Sequence, residues 1–257
     1  MLVPGDVVMV APLDDDGVVV DRVEKRRSVL NRRSDNRTKT MAANIDLLAI
    51  VCALANPPPR TVLLDQLLVF SELNGIAPVL IFTKADLAEA ADAREVPELY
   101  RRLGYRTLVA NPKAGEGVGE LKEALFDRHA FLVGVSGVGK SSIFRVLGGE
   151  SIVGDVSRFG LGKQTTSAAR LVRLGTGFLI DSPGVSEFGL DGLSVAELIH
   201  GFVEMRAPAA HCRFTDCEHR TEPACGVRAA LADRHIARSR YESYCHILTQ
   251  GPVRDAR

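Results

Sequence analysis

The chain has 257 residues, 46% hydrophobic and 25% charged, with 32 lysines and arginines balancing 32 aspartates and glutamates. That length suits one core domain with one or two small appendages, and zero net charge argues against a uniformly basic nucleic-acid binder. The apolar runs fall far short of a bilayer span, and no basic segment leads into an apolar core at the N-terminus, so a cytoplasmic protein without membrane contact is expected.

In chain order, GDVVMV and GVVVDRVEKR read as strands about a polar turn at Asp14–Gly17. A basic run overlaps them: Arg22, Lys25, Arg26, Arg27, Arg32, Arg33, Arg37 and Lys39. Leu47–Leu54 is a short buried strand in which the Cys52 thiol acts as a small hydrophobe. Thr61–Asn74 has helical periodicity and is closed by Gly75. A strand at APVLIFT, a helix over Glu98–Leu103, a strand at Arg106–Val109 and a helix near Gly119–Phe126 follow. AFLVGVSG is a strand opening into a helix that starts near Lys140, and ARLVRLG with GFLIDSPG forms a hairpin. Such alternation predicts an α/β fold with a mostly parallel sheet covered on both faces.

Beyond Ser194 the pattern is mainly helical, with Cys245 on one of the helices and a second arginine run: Arg206, Arg213, Arg220, Arg228, Arg234, Arg238 and Arg240. Either basic run alone has the composition of a solvated face. Two of them flanking a core are suited to phosphate-backbone contact.

Gly134–Ser141 reads GVSGVGKS, a full match to the phosphate-loop pattern, with an apolar strand before it and a helix after it. Gly137 and Gly139 allow the tight turn. The backbone N–H groups of Gly134, Val135, Ser136, Gly137, Val138, Gly139, Lys140, Ser141 and Ser142 are the candidate phosphate cradle. Lys140 supplies a charge to the β- and γ-phosphates, and the Ser141 hydroxyl is a candidate Mg²⁺ ligand. The loop by itself does not distinguish adenine from guanine.

Thr83, Lys84, Ala85 and Asp86 follow a strand and match the base-reading pattern N/T-K-x-D. A carboxylate at Asp86 can accept both the ring N–H and the exocyclic amine of guanine, whereas adenine would leave it unpaired. The Lys84 stem can pack along the base. This motif precedes the phosphate loop, and GKQTTS (Gly162–Ser167) and DSPG (Asp181–Gly184) follow it. The usual order is therefore rotated, as in a circular permutation, which a compact domain with neighbouring termini tolerates.

Cys212, Cys217, His219 and Cys225 have the spacing C-x4-C-x-H-x5-C. Three thiolates and an imidazole complete a tetrahedral Zn²⁺ shell, leaving no position for water, so one structural zinc ion is expected. His211 is read as a bystander.

From Val3 to about Tyr244, this order of motifs ending in a Cys/His cluster resembles the RsgA/YjeQ family of circularly permuted GTPases. AANIDLLAIVCAL and YESYCHIL share the likeness. The resemblance implies a partial OB-like β region at residues 1–40, a permuted P-loop GTPase domain at 41–193, and a mainly helical zinc-binding domain at 194–257. About forty residues precede the core, enough for roughly three strands, where that family begins with a five-stranded RNA-binding barrel.

The resemblance also implies that Asp181 holds Mg²⁺ through water, that Gly184 donates its N–H to the γ-phosphate, and that Thr165 or Thr166 completes the metal shell. Val185 stands where many GTPases carry a water-orienting glutamine, and Gln164 occupies the family's usual histidine position. Gln164 is thus the candidate water positioner, and with Lys140 and Gly184 it makes up the candidate catalytic set. Thr83 replaces the more usual asparagine. The second base loop maps near Ala110–Pro112, where Pro112 lacks an N–H.

The expected function is hydrolysis of GTP to GDP and phosphate by a monomer bound to the small ribosomal subunit and its rRNA during late maturation. The alternative is a GTP/GDP-binding switch on rRNA with negligible intrinsic hydrolysis.

Overall fold

The computed structural model describes residues 2–13, 17–34, 37–89, 92–148, 152–155, 170–181, 190 and 192–250. Its centre is a seven-stranded sheet. The strands are β5 (Leu47–Ala53), β6 (Ala77–Thr83), β7 (Arg106–Ala110), β8 (His129–Val133), β9 (Ile152–Asp155), β10 (Arg170–Leu174) and β11 (Gly177–Asp181). They lie in the order β7-β6-β5-β8-β11-β10-β9. Pairings among β7, β6, β5, β8 and β11 are parallel, and β10 is antiparallel to both β11 and β9. The expected hairpin is thus present, and β9 is an additional edge strand.

β5, β6 and β8 are apolar almost throughout because both sheet faces are covered. The connecting helices are α1 (Thr61–Asn74), α2 (Asp92–Arg102), α3 (Val118–Leu125) and α4 (Lys140–Gly148). Right-handed crossovers put α1 and α2 on one face, and the reversal from β7 back to β8 puts α3 on the other. α1 has the bounds its periodicity predicts, and Gly75 closes it in the left-handed region at φ 62°. α2 is longer than the Glu98–Leu103 segment, since Pro97 lies inside it and masks the pattern.

The C-terminal part is helical: α5 (Val195–Gly201), α6 (Arg206–Ala209), α7 (Gly226–Ala232) and α8 (Arg238–Gln250). Ser194 and Glu197 form a reciprocal capping box that starts α5. α1 buries nine consecutive residues, Leu63 to Ser71. A helix buried all round needs cover on two sides, and here the sheet supplies one side while α5 and α8 supply the other.

That second contact is polar at its centre. Arg240 of α8 is fully buried, with Nη1 donating to Asp65 Oδ1 of α1 at 2.6 Å. Its Nε and Nη2 donate to Glu204 at 2.6 and 3.0 Å, and Tyr100 of α2 donates to Asp65 at 2.6 Å. Burial opposes the guanidinium charge, but Asp65 and Glu204 outweigh it and hold Arg240 well above its ordinary pKa.

The N-terminal residues form two hairpins, β1 (Val8–Pro12) with β2 (Val18–Val23), and β3 (Val29–Ser34) with β4 (Arg37–Ala43). That is four strands instead of roughly three. The arginine-rich residues 32–39 hid the second hairpin, because their charges break the alternation that marks a strand. β4 runs past residue 40 to Ala43. Asn44 ties the pieces together, accepting the Arg27 N–H at 2.7 Å and donating to the Gly5 carbonyl at 2.8 Å.

Candidate functional site

The strand order reverses between β5 and β8, and the carboxyl ends of such strands form the usual ligand crevice of an open α/β sheet. β8 delivers the segment Gly134–Ser142 there, and α4 begins at Lys140. Gly134 has φ 146°, and a Cβ on it would lie 2.3 Å from the Val51 carbonyl oxygen of β5. Only glycine fits that approach. Gly137 and Gly139 also have positive φ, 80° and 101°. Val135 and Val138 are buried beneath the loop, while Ser136 and Gly137 are exposed above it. Lys140 Nζ donates to the carbonyls of Gly134 and Val135 at 2.6 and 2.7 Å.

β6 ends beside this loop. Thr83 is buried, and its hydroxyl donates to the Val138 carbonyl at 2.6 Å. The threonine in place of asparagine therefore links the two motifs directly. Lys84 adopts φ 58° and its ammonium donates to the Asn56 carbonyl. Ala85–Leu87 form a short 3₁₀ turn that leaves Asp86 exposed. β7 ends at Ala110, and Asn111 pairs with Glu116 to close the turn containing Pro112. Asn56 and its neighbours were missed by sequence reading, since a carbonyl acceptor leaves no mark in residue type.

Asp181 ends β11, two strands from β5 across β8. It is buried, and its Oδ1 has no hydrogen-bond partner among the described residues. Burial pushes its carboxyl above the usual range, opposed by the charges of Lys140 and Arg170. A buried carboxylate oxygen left without a hydrogen-bond partner fits a site that holds a cation directly or through water. Gln164, Thr165, Thr166, Gly184 and Val185 lie outside the described residues.

The second cluster is compact. The ligand atoms of Cys212, Cys217, His219 and Cys225 all lie within 4.8 Å of one another. Cys212 and Cys225 sulfurs are 3.8 Å apart, and His219 Nδ1 is 3.3 and 3.5 Å from them. Tetrahedral zinc with bonds of about 2.3 Å to sulfur and 2.0 Å to nitrogen requires separations of about 3.5–3.8 Å, close to those among Cys212, His219 and Cys225, with Cys217 within 4.8 Å of all three. Burial keeps His219 below its ordinary pKa, the neutral form a metal needs, and pushes the Cys217 thiol up to about 12, so a cation must displace its proton. His211 stands outside the set.

Two tyrosines of the YESYCHIL segment and Glu222 hold the knuckle. Tyr241 and Tyr244 of α8 donate to the carbonyls of His219 and Glu218 at 2.8 and 2.9 Å. Glu222 accepts three backbone N–H groups and falls to a pKa of about 2. The likeness of YESYCHIL marked the segment of the two tyrosines, while nothing in residue type marked Glu222. Cys52 is buried as expected, with its thiol pushed up to about 11, and Cys245 lies on α8.

The basic runs separate. In the first, Arg26 pairs with Asp6 at 2.7 Å, Arg27 with Asp46 at 3.6 Å and Arg22 with Glu24 at 3.5 Å. The side chains of Arg32, Arg33, Arg37 and Lys39 lie outside the described residues. In the second, Arg206 pairs with Glu72 at 2.7 Å and Arg240 is enclosed, so both join the tail to the core. No helix among the described residues is long and apolar enough to cross a membrane.

Known proteins share this arrangement along nearly the whole chain. The structure of YjeQ from Thermotoga maritima superposes with a TM-score of 0.76 at 32% identity, covering 98% of this chain and 84% of that one. YloQ, described as a circularly permuted GTPase, gives 0.73 at 25% identity, covering 98% and 81%. Small ribosomal subunit biogenesis GTPase RsgA of Klebsiella pneumoniae is 40% identical over 96% of this chain and 74% of its own length. Its namesake in Moorella thermoacetica is 37% identical over 99% and 87%. With the RsgA GTPase family profile matching residues 23–191, the chain belongs to the RsgA GTPase family.

Proposed function

We propose that the chain is a Mg²⁺-dependent GTPase that binds the small ribosomal subunit through its rRNA and hydrolyses GTP to GDP and phosphate during late subunit maturation. The observation that carries this reading is the Thr83–Val138 hydrogen bond. It fixes the base-reading turn to the phosphate loop at the sheet's switch point, although the two are 55 residues apart in the permuted order. Membership of a family whose relatives are named small ribosomal subunit biogenesis GTPases supports the activity and the partner.

In this reading Asp86 accepts the two guanine donors, and the N–H groups of residues 134–142 surround the phosphates. Lys140 leaves the Gly134 and Val135 carbonyls for the β- and γ-phosphates. Ser141 and Thr165 or Thr166 would hold Mg²⁺, with Asp181 acting through water, and the ion would neutralise charge on the phosphate oxygens. Gly184 donates to the γ-phosphate, and Gln164 orients the attacking water without acting as a base. Val185 cannot orient water, so intrinsic turnover is slow without the subunit. Cys212, Cys217, His219 and Cys225 hold one structural zinc ion.

The proposed units are the N-terminal hairpins at about residues 1–40, the GTPase domain at 41–193 and the zinc domain at 194–257, in a monomeric cytoplasmic protein. The test is turnover of GTP, and release of GDP, with and without purified small subunits at low salt. Subunits should raise the rate, and rising salt should erase the gain. Equal turnover in both arms would overturn the ribosome-coupled reading.

A further inference from the structure

Guanine presents three groups along the edge that Asp86 is suited to read. Two are donors, the ring N–H and the exocyclic amine, and the third is an acceptor, the carbonyl oxygen O6. A carboxylate satisfies the donors alone. An O6 stripped of water and given no donor in return would weaken both affinity and discrimination. Its donor has to come from an element beside the Asp86 turn.

β6 leads into that turn, and β7 is its parallel neighbour, with Thr83 opposite Ala110. The residues after Ala110 therefore emerge next to those after Thr83. Asn111 to Ala114 form a tight turn there, and most of its backbone donors are engaged. The Asn111 N–H donates to the Glu116 carbonyl at 3.0 Å, and the Glu116 N–H returns to the Asn111 carbonyl at 3.2 Å. The Ala114 N–H reaches that same Asn111 oxygen at 3.0 Å. Pro112 has no N–H at all. Gly117 holds the turn against β7: at φ 68°, a Cβ on it would lie 2.5 Å from the Val109 carbonyl oxygen.

The Asn111 side chain is half-buried, and its Oδ1 accepts the Ala114 N–H at 3.4 Å. That contact sets which way the amide faces, with the oxygen on the turn and the nitrogen away from it. Nδ2, with two hydrogens to donate, has no partner among the described residues. Lys113 beside it is exposed and carries its charge on a flexible stem, which fixes no direction.

We propose that Asn111 is a specificity-determining residue whose side-chain amide donates to guanine O6, in place of a main-chain N–H that Pro112 cannot supply. The inference rests on the guanine reading at Asp86 and completes it. An acceptor at Asp86 meets the two donors of the base, and a donor at Asn111 meets its acceptor. Adenine carries an amine where guanine has O6, so the same amide sets donor against donor unless it turns and gives up Ala114.

The test measures affinities for GDP, 6-thio-GDP and IDP by displacement of a fluorescent guanine nucleotide from the full chain. 6-thio-GDP replaces O6 by sulfur, a weak acceptor, and IDP lacks only the exocyclic amine. Wild type should prefer GDP to 6-thio-GDP. In Asn111→Ala the GDP affinity should fall about tenfold and the 6-thio-GDP affinity less than about twofold, so that this preference disappears. The ratio of GDP to IDP affinity, which reports Asp86, should not change. Asn111→Asp keeps an oxygen for the Ala114 N–H but sets a carboxylate against O6, and it should bind GDP at least as weakly as Asn111→Ala. Equal losses for GDP and 6-thio-GDP would mean that Asn111 only shapes the turn. A preference that survives Asn111→Ala would give O6 to another donor, and a collapsed GDP to IDP ratio would put the amide on Asp86. Each of these results overturns the assignment. Should wild type bind ADP as tightly as GDP, the guanine reading at Asp86 itself fails and the assignment falls with it.

Discussion

Helix α1 and strand β2 are both apolar in sequence, yet their surroundings are opposite. TVLLDQLLVFSELN is buried along nine consecutive residues between the sheet and the C-terminal helices. VVVDRV is exposed at all six positions, with Val18 at 64% and Val19 at 47%. Apolar content states only that a surface gains by being covered. Topology decides whether cover arrives, and for α1 it arrives from residues more than a hundred positions away.

The strongest way to break the comparison is at the centre of that cover. Arg240→Ala leaves Asp65 and Glu204 buried without their cation and should cost about 3–5 kcal/mol. Equilibrium urea unfolding followed by circular dichroism measures it. Replacing Asp65 by Leu together with Arg240→Met should recover part of the loss, since two apolar partners leave one fewer buried charge. A single-variant loss below about 1 kcal/mol would mean that the seam is held by its apolar contacts alone.

Removing the proposed zinc ion attacks the same cover from its outer end. Chelation, or Cys217→Ser, should raise amide exchange at least tenfold through residues 212–228, a local loss of about 1.4 kcal/mol or more. α1 should be affected less, because Arg240 anchors α8 independently of the cluster. Full exchange protection of the knuckle in metal-free protein would contradict a structural zinc ion.

Thr83→Val tests a smaller polar bridge between the two motifs. The Val138 carbonyl would lose its donor in a buried setting, costing about 1–3 kcal/mol. GTP affinity should fall by about tenfold, read by titration with a fluorescent guanine nucleotide. Unchanged affinity would show that the base-reading turn holds its place without this bond.

These residues also mark what the sequence could reveal. The phosphate loop, Thr83–Asp86 and the Cys/His set were legible because their chemistry demands fixed residue types at fixed spacings. Central strands and α1 were legible from apolar runs bounded by glycine. The Arg240–Asp65 pair was not, since one buried arginine among six others in the same run has no local signature. Nor were the Thr83 link to Val138 and the Lys84 contact to Asn56, where the acceptor is a backbone carbonyl. β3 and β4 stayed hidden under their charges.

The gentlest test sets one substitution on each side of the comparison. Val69 of α1 is fully buried, and α5 approaches it so closely that a Cβ on Gly201 would lie 2.5 Å from Val69 Cγ1. Val69→Thr keeps the shape but buries a hydroxyl in that contact. Its escape is the carbonyl one turn back, so the cost should be about 1–2 kcal/mol. Val19→Thr makes the same atomic change on β2, where water reaches the hydroxyl and both residues favour strands. It should alter stability by less than about 0.5 kcal/mol. Urea midpoints of the two variants give the contrast directly. A Val19→Thr loss as large as that at Val69 would mean that β2 is covered in solution, and that the difference between the two apolar segments does not hold.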